Sequence, residues 1–299
     1  MQGALLCCPA YPLADRFQFE SALIAARRLG VRAGFSVVEA PGLGDFAPGR
    51  GAQRPVAARQ ADFQAALGHD LLLAARGGSG CIDLVPDALA AHRLPRLIGY
   101  SDLTVLHACW LKRGRCDGVY GLMPAVPHGE RAFASTATLL RGEVLRPDPD
   151  HAPTAEVLRP GRAEGPLVAA CLRILAALVG TPAMPDLRGC IIALEDIDER
   201  PYQIDRALWQ LHASGALGGI TGLVFGSFPC EKPAEDAGPS VLDICRTWAE
   251  RLSVPALAGL PFGHDTDPIA LPCGGGAVLD CYGSGWKLTA HCRPEIPCA

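Results

Sequence analysis

Short apolar runs alternate along this chain with longer segments in which apolar residues recur every three or four positions. Residues 4–8 (ALLCC) form the first run, closed by Pro9 and Pro12, and predict a buried strand. Phe19, Leu23 and Ala26 give residues 17–29 a helical spacing, with Gly30 placed to end the helix. Residues 31–38 read as a strand and 42–55, rich in Gly and Pro, as a loop. A helix over 56–67 follows, with Ala57, Phe63 and Leu67 on its apolar face. Residues 71–75 are a continuous apolar strand running into Arg76-Gly77-Gly78-Ser79-Gly80, and 81–91 are helical. A further strand at 97–100 meets Ser101-Asp102 and a helix to about residue 112. Strands that are apolar on both faces and alternate with helices predict a parallel, flavodoxin-like sheet with helices on each side.

The pattern breaks between 141 and 165, where Pro147, Pro149, Pro153 and Pro160 fall among Asp and Glu residues, with Pro166 just beyond. This is the composition of a crossing between domains. Beyond it, helices are expected at 167–179, 202–213 and 240–252, and strands at 190–194, 220–225, 277–281 and 286–289. The expected organisation is an α/β domain over 1–140, a crossing over 141–165, and a smaller α/β domain with a mixed sheet over 166–299.

Composition narrows the function classes. With 49% hydrophobic and 19% charged residues, the chain is no disordered polar polymer. Lys and Arg number 27 against 31 acidic residues, so no basic excess points to nucleic acid or an anionic membrane. The apolar runs fall far short of the roughly 18 residues of a spanning helix. The N-terminus lacks a basic segment and meets Asp15 early, unlike a secretory signal, so a cytoplasmic protein is expected. The 13 cysteines show no C-x-x-C and no ligand spacing for zinc, and read mostly as small buried hydrophobes with reduced thiols.

Four places carry candidate chemistry. Ser101 lies where a buried strand turns into a helix, the geometry of a nucleophile elbow, although serine is also a favoured N-cap. Glu195, Asp196, Asp198 and Glu199 end a strand, crowded enough to separate their pKa values or to hold a cation; pairing with Arg200 and Arg206 in a solvated loop is the simpler reading. His264, between Gly263 and Asp265 in a turn, is placed to titrate near neutrality. His107 reads as a packing residue in the helix after Ser101. The Gly77–Gly80 loop lacks the Walker lysine and the full G-x-G-x-x-G. Its N–H groups could serve a phosphate or an oxyanion, or the loop could be only a tight turn.

Taken in order, residues 75–80, 99–104, 194–206 and 263–264 resemble the motif series of the LD-carboxypeptidase family of serine peptidases: A-R-G-G-Y-G, G-[YF]-S-D-x-T, L-E-D-x-x-E-x-P-Y-x-I-D-R and G-H. The resemblance spans about residues 4–290. It implies a Ser-His-Glu triad, with Ser101 as nucleophile, His264 as base and then acid, and Glu195 rather than Glu199 as the partner of the imidazole. It further implies an oxyanion hole from the Asp102 N–H and the Gly77/Gly78 loop, a cleft between the two domains, no metal or cofactor, and a homodimer. The implied substrate is a murein tetrapeptide that loses its terminal D-alanine during peptidoglycan recycling. Arg76, Ser79 and Arg206 are substrate-binding candidates, the arginines as holders of a carboxylate or as structural ion-pair partners. Two departures touch the pocket: Ser79 stands where the family usually has Tyr, and Ala169-Ala170-Cys171 where it often has G-G-N. Relatives resembling the microcin-C immunity peptidase cleave aminoacyl-nucleotide amides, which would call for an aromatic platform such as Trp209 or Trp248. The same chain could also be a binding protein that has lost turnover, or a metal hydrolase built on the acidic cluster.

Overall fold

The computed structural model describes residues 2–47, 53–231, 238–283 and 285–292. The chain begins with β1 (Gln2–Cys7), α1 (Arg16–Ala33), β2 (Phe35–Glu39), α2 (Val56–Ala66) and β3 (Leu71–Ala74). A 3-10 turn (Cys81–Leu84) leads into α3 (Val85–Ala90) and β4 (Arg96–Ile98), and a second one (Ser101–Leu103) into α4 (Thr104–Lys112). β5 (Gly118–Tyr120) and α5 (Glu130–Leu140) complete the first half. The second half holds β6 (Glu156–Arg159), β7 (Gly161–Cys171), α6 (Leu172–Ala177), β8 (Ile191–Glu195), α7 (Pro201–Ala213), β9 (Gly222–Phe225), α8 (Val241–Leu252), β10 (Ala256–Ala258), β11 (Leu271–Tyr282) and β12 (Gly285–Ala290).

Among the described residues, twelve strands form one mixed sheet in the order β2-β1-β3-β4-β5-β11-β7-β8-β9-β10-β6, with β12 paired to β11. The first five are parallel, and their order is the flavodoxin-like one. β7, β8, β9 and β10 are also parallel to one another. β11 is antiparallel to β5 through Leu271–Cys273 and to β7 through 273–281. Two reversals restore the direction, so β1–β5 and β7–β10 point the same way and their carboxyl ends share one edge of the sheet.

Two expected elements fall differently. Helix α1 does not close at Gly30 but runs to Ala33 and is capped by Gly34 at φ +82°. Gly30 serves a close approach instead: a Cβ there would lie 2.6 Å from the Phe35 carbonyl oxygen at the start of β2. Val31, expected in a strand, lies on the exposed face of α1. Residues 167–171, expected in a helix, are the buried end of β7, because a short run that is apolar on both faces carries no periodicity to separate helix from strand. The Pro-rich stretch also contains β6 and the first residues of β7. Among the described residues, eleven cysteines are free thiols and all but Cys230 are buried.

Gly30→Ala tests the close approach. In an open helix interior that change stabilises by about 1 kcal/mol. Against the Phe35 carbonyl it should instead destabilise by about 1–3 kcal/mol, a sign that urea unfolding of the two proteins reads directly.

Candidate functional site

The main sequence-predicted residues lie at or just beyond the carboxyl ends of parallel strands: the glycine loop after β3, Ser101 after β4, Glu195 ending β8 and His264 after β10. Ser101 opens the second 3-10 turn at φ +64°, a left-handed conformation uncommon outside glycine. Its N–H donates to the Tyr120 hydroxyl at 3.1 Å. Next to it, the buried Asp102 carboxylate accepts the Cys81 N–H at 2.8 Å, tying the elbow to the end of the glycine loop. Burial holds the Asp102 carboxyl above its ordinary value. His107 does pack, as expected: it is buried, lies 2.9 Å from the Gly99 carbonyl oxygen, and is pushed down to about 4 by desolvation, so it is neutral.

Glu195, the last residue of β8, is fully buried. A lone carboxylate there would be costly, and hydrogen bonds offset the cost. Oε1 accepts the Tyr120 hydroxyl at 2.6 Å. Oε2 accepts the His264 backbone N–H at 3.0 Å and lies 2.7 Å from His264 Nδ1. Burial alone would lower the His264 pKa; the Glu195 carboxylate, helped by Asp196 and Asp198, overrides it and leaves the imidazole above its ordinary value. With Nδ1–H committed to Glu195, Nε2 carries the lone pair of the neutral ring. The neighbouring Gly263 has φ +78°, and a Cβ there would overlap the Glu195 carboxylate. The Tyr100 ring, one residue before Ser101, meets the His264 ring edge-on at 5.1 Å between centroids.

The His264 loop is anchored in both halves of the chain. Ser227, after β9, donates to Asp265 at 2.6 Å. Asp267 accepts the Arg131 and Ala132 N–H groups at 3.1 and 2.9 Å, at the start of α5. On the other side of Ser101 sits Gly77, where a Cβ would lie 2.8 Å from Ser101 Cβ and 3.0 Å from its Oγ. Ser101, Glu195, His264, Asp102 and Gly77 are therefore joined in one network of contacts.

The remaining candidates lie further out. Arg76 donates to the Pro12 carbonyl at 3.3 Å and stands over the Tyr11 ring at 5.8 Å. Gly78 is exposed and Ser79 half-buried. Arg206, expected beside the acidic cluster, rests instead on the Tyr202 ring at 4.9 Å. Glu199 pairs with Arg173 at 3.4 Å. Buried Asp196 rises to about 6, chiefly by desolvation, while accepting the Arg173 and Ile197 N–H groups at 2.8 and 2.9 Å. Trp248 cannot offer a stacking platform: it is fully buried and donates to Asp205 at 2.7 Å. Trp209 is 59% exposed on α7. Among the described residues no group of three His, Cys, Asp or Glu is placed to hold a metal ion. Sequence reasoning missed Tyr120 and Tyr100 as parts of the site. Tyr100 was within reach, since it occupies the aromatic position of the elbow motif.

Family models described as the LD-carboxypeptidase N-terminal and C-terminal domains match residues 5–121 and 164–279. The chain belongs to the LD-carboxypeptidase family. A Streptomyces coelicolor relative named as a carboxypeptidase is 36% identical over 234 residues, covering 74% of this chain and 73% of its own. The murein tetrapeptide carboxypeptidase of Pseudomonas aeruginosa is 32% identical, covering 69% of this chain and 70% of its own. The crystal structure of muramoyltetrapeptide carboxypeptidase from Oxalobacter formigenes superposes with a TM-score of 0.80 at 26% identity, over 96% of this chain and 99% of that one. The microcin C7 self-immunity protein bound to glutamyl sulfamoyl guanosine shares the fold, with a TM-score of 0.78 at 16% identity over 96% of each chain.

For this LD-carboxypeptidase the Gly77–Ser101 contact gives a direct test. Gly77→Ala should push the Ser101 side chain from its place and lower carboxypeptidase activity by about 100-fold or more. A native-like circular dichroism spectrum and a cooperative thermal transition in the variant, even at a lowered Tm, separate misplacement from collapse.

Proposed function

We propose that this chain is a serine LD-carboxypeptidase that removes the terminal D-alanine of murein tetrapeptides, cutting the bond that follows the L-centre of the diamino acid. The observation that carries the reading is the buried Glu195–His264 pair, its imidazole in contact with the residue preceding a serine held at positive φ. Ser101 Oγ attacks the carbonyl carbon while His264 Nε2 takes its proton. Glu195 stabilises the imidazolium. The Asp102 N–H, in the first turn of a helix and so without an intrahelical acceptor, joins the Gly77/Gly78 N–H groups around the oxyanion. His264 then returns the proton to the leaving amine of D-alanine, and water releases the acyl group by the same steps reversed. The names of the Pseudomonas and Oxalobacter relatives support the substrate.

Within the acidic cluster, Asp196 accepts two backbone N–H groups and Glu199 Oε1 faces Arg173, which favours the serine reading over a metal one. Arg76 and Ser79 stay candidates for the substrate side because they lie in the loop that holds Gly77. Work in the cytoplasm on recycled peptides accords with the eleven cysteines that are free thiols among the described residues, while Cys116 is disulfide-bonded. No helix is long and apolar enough to cross a membrane among the described residues. The homodimer is carried by the family resemblance.

With a chelator present, the native protein should release D-alanine from L-Ala–γ-D-Glu–meso-diaminopimelate–D-Ala, and Ser101→Ala should not. Undiminished release by the variant would overturn the serine mechanism, and no release by the native protein would overturn the substrate.

The His264 shift fixes a pH profile. The base must be unprotonated, and its pKa lies above the ordinary ~6.5, so kcat/KM should fall on the acid side through a pKa above that value. Glu195→Gln should move this limb to lower pH and reduce kcat by about 10²–10⁴-fold.

A further inference from the structure

One buried hydroxyl touches both ends of the site. Tyr120 ends β5 and is 1% exposed. Its oxygen accepts the Ser101 N–H at 3.1 Å and donates to Glu195 Oε1 at 2.6 Å. Thr104, the threonine of the S-D-x-T motif, lies beside this hydroxyl. Thr104 in turn accepts the Cys171 N–H at 3.0 Å, and Cys171 is the cross-strand partner of Glu195. The Tyr120 ring is fixed among Tyr100, His107 and Phe262 at 5.9–6.4 Å between centroids.

We propose that Tyr120 is a positioning residue, locking the backbone of Ser101 and the carboxylate of Glu195 to one shared hydroxyl. Tyr120 need not touch substrate. Its O–H takes up part of the Glu195 charge, so it tempers how strongly Glu195 draws on the His264 Nδ1–H. Its oxygen also satisfies the N–H that the elbow turns inward, where an unpaired donor would be costly. The serine of the first half and the glutamate of the second are thus held to a common atom, and their separation does not depend on packing alone.

This inference rests on the triad reading of Ser101, Glu195 and His264, and its test is kept separable from it. Tyr120→Phe removes the oxygen and keeps the ring. Relative to the native protein, kcat should fall by about 10–100-fold with KM nearly unchanged. The acid limb of kcat/KM should move to higher pH, because Glu195 left without its second donor becomes a stronger acceptor for His264. An NMR titration of His264, assigned with His264→Gln, reads the same upward shift without turnover. It can be run in the Ser101→Ala background, so it decides the role of Tyr120 whatever the nucleophile proves to be. If Tyr120→Phe does not fold, Thr104→Val withdraws the side-chain hydroxyl that lies beside that of Tyr120. It should shift His264 in the same direction by less, and Thr104→Ser should restore the native value. A folded Tyr120→Phe with a native His264 titration and native kcat, even with a lowered Tm, would show a purely structural tyrosine and overturn the proposal. So would native His264 behaviour in a folded Thr104→Val where Tyr120→Phe does not fold.

Discussion

Strand β11 runs against both of its neighbours, and the geometry of the site depends on that double reversal. Had β11 been parallel to one of them, or had a second antiparallel strand intervened, Ser101 and Glu195 would emerge at opposite edges of the sheet. With one antiparallel strand between them, the carboxyl ends of β4, β8 and β10 open on the same side. Carboxyl ends of parallel strands are where α/β proteins place ligands, because loops and helix N-termini converge there. Here two such edges merge into one, and the network from Gly77 through Ser101 and Tyr120 to Glu195 and His264 crosses the join.

Within that frame the expensive element is the charge on Glu195. A carboxylate with no exposure persists only when its oxygens are met by donors, and these come from Tyr120 and His264. The same bonds position the chemistry: satisfying the carboxylate orients the imidazole and fixes its tautomer. Strain at the Ser101 backbone is held in the same way, by partners on either side of the turn. Stabilising the buried charge and arranging the site are thus one set of contacts.

Much of this was legible in the sequence, and the rest was not for identifiable reasons. The apolar strands before the glycine loop, before Ser101 and through Glu195 stand out because both faces are buried, and the motifs follow them directly. Gly30 misled because a glycine near a helix end usually caps it, whereas this one yields space to a carbonyl oxygen in the next strand. Residues 167–171 misled because a buried strand and a buried helix look alike over so few positions. Tyr120 gave no local signal: β5 is three residues long, and the partners of its hydroxyl lie 19 and 75 positions away. The acidic cluster showed its crowding but not its division of labour, since Arg173, which takes Glu199, comes from a helix more than twenty positions earlier.

The central place of β11 also has a meaning in time. A ribosome makes residues 271–282 after every strand of the sheet but β12, yet the sheet needs them in its middle. Until they emerge, the nascent chain presents β5 and β7 as unpaired edges, the kind of surface that invites mispairing. The flavodoxin-like half, carrying the serine, is complete long before the strand that aligns it with the second half. Order of synthesis thus postpones assembly of the whole site until β11 has been made, and a truncated product ending before β11 would carry Ser101, Glu195 and His264 without the strand that brings them to one edge.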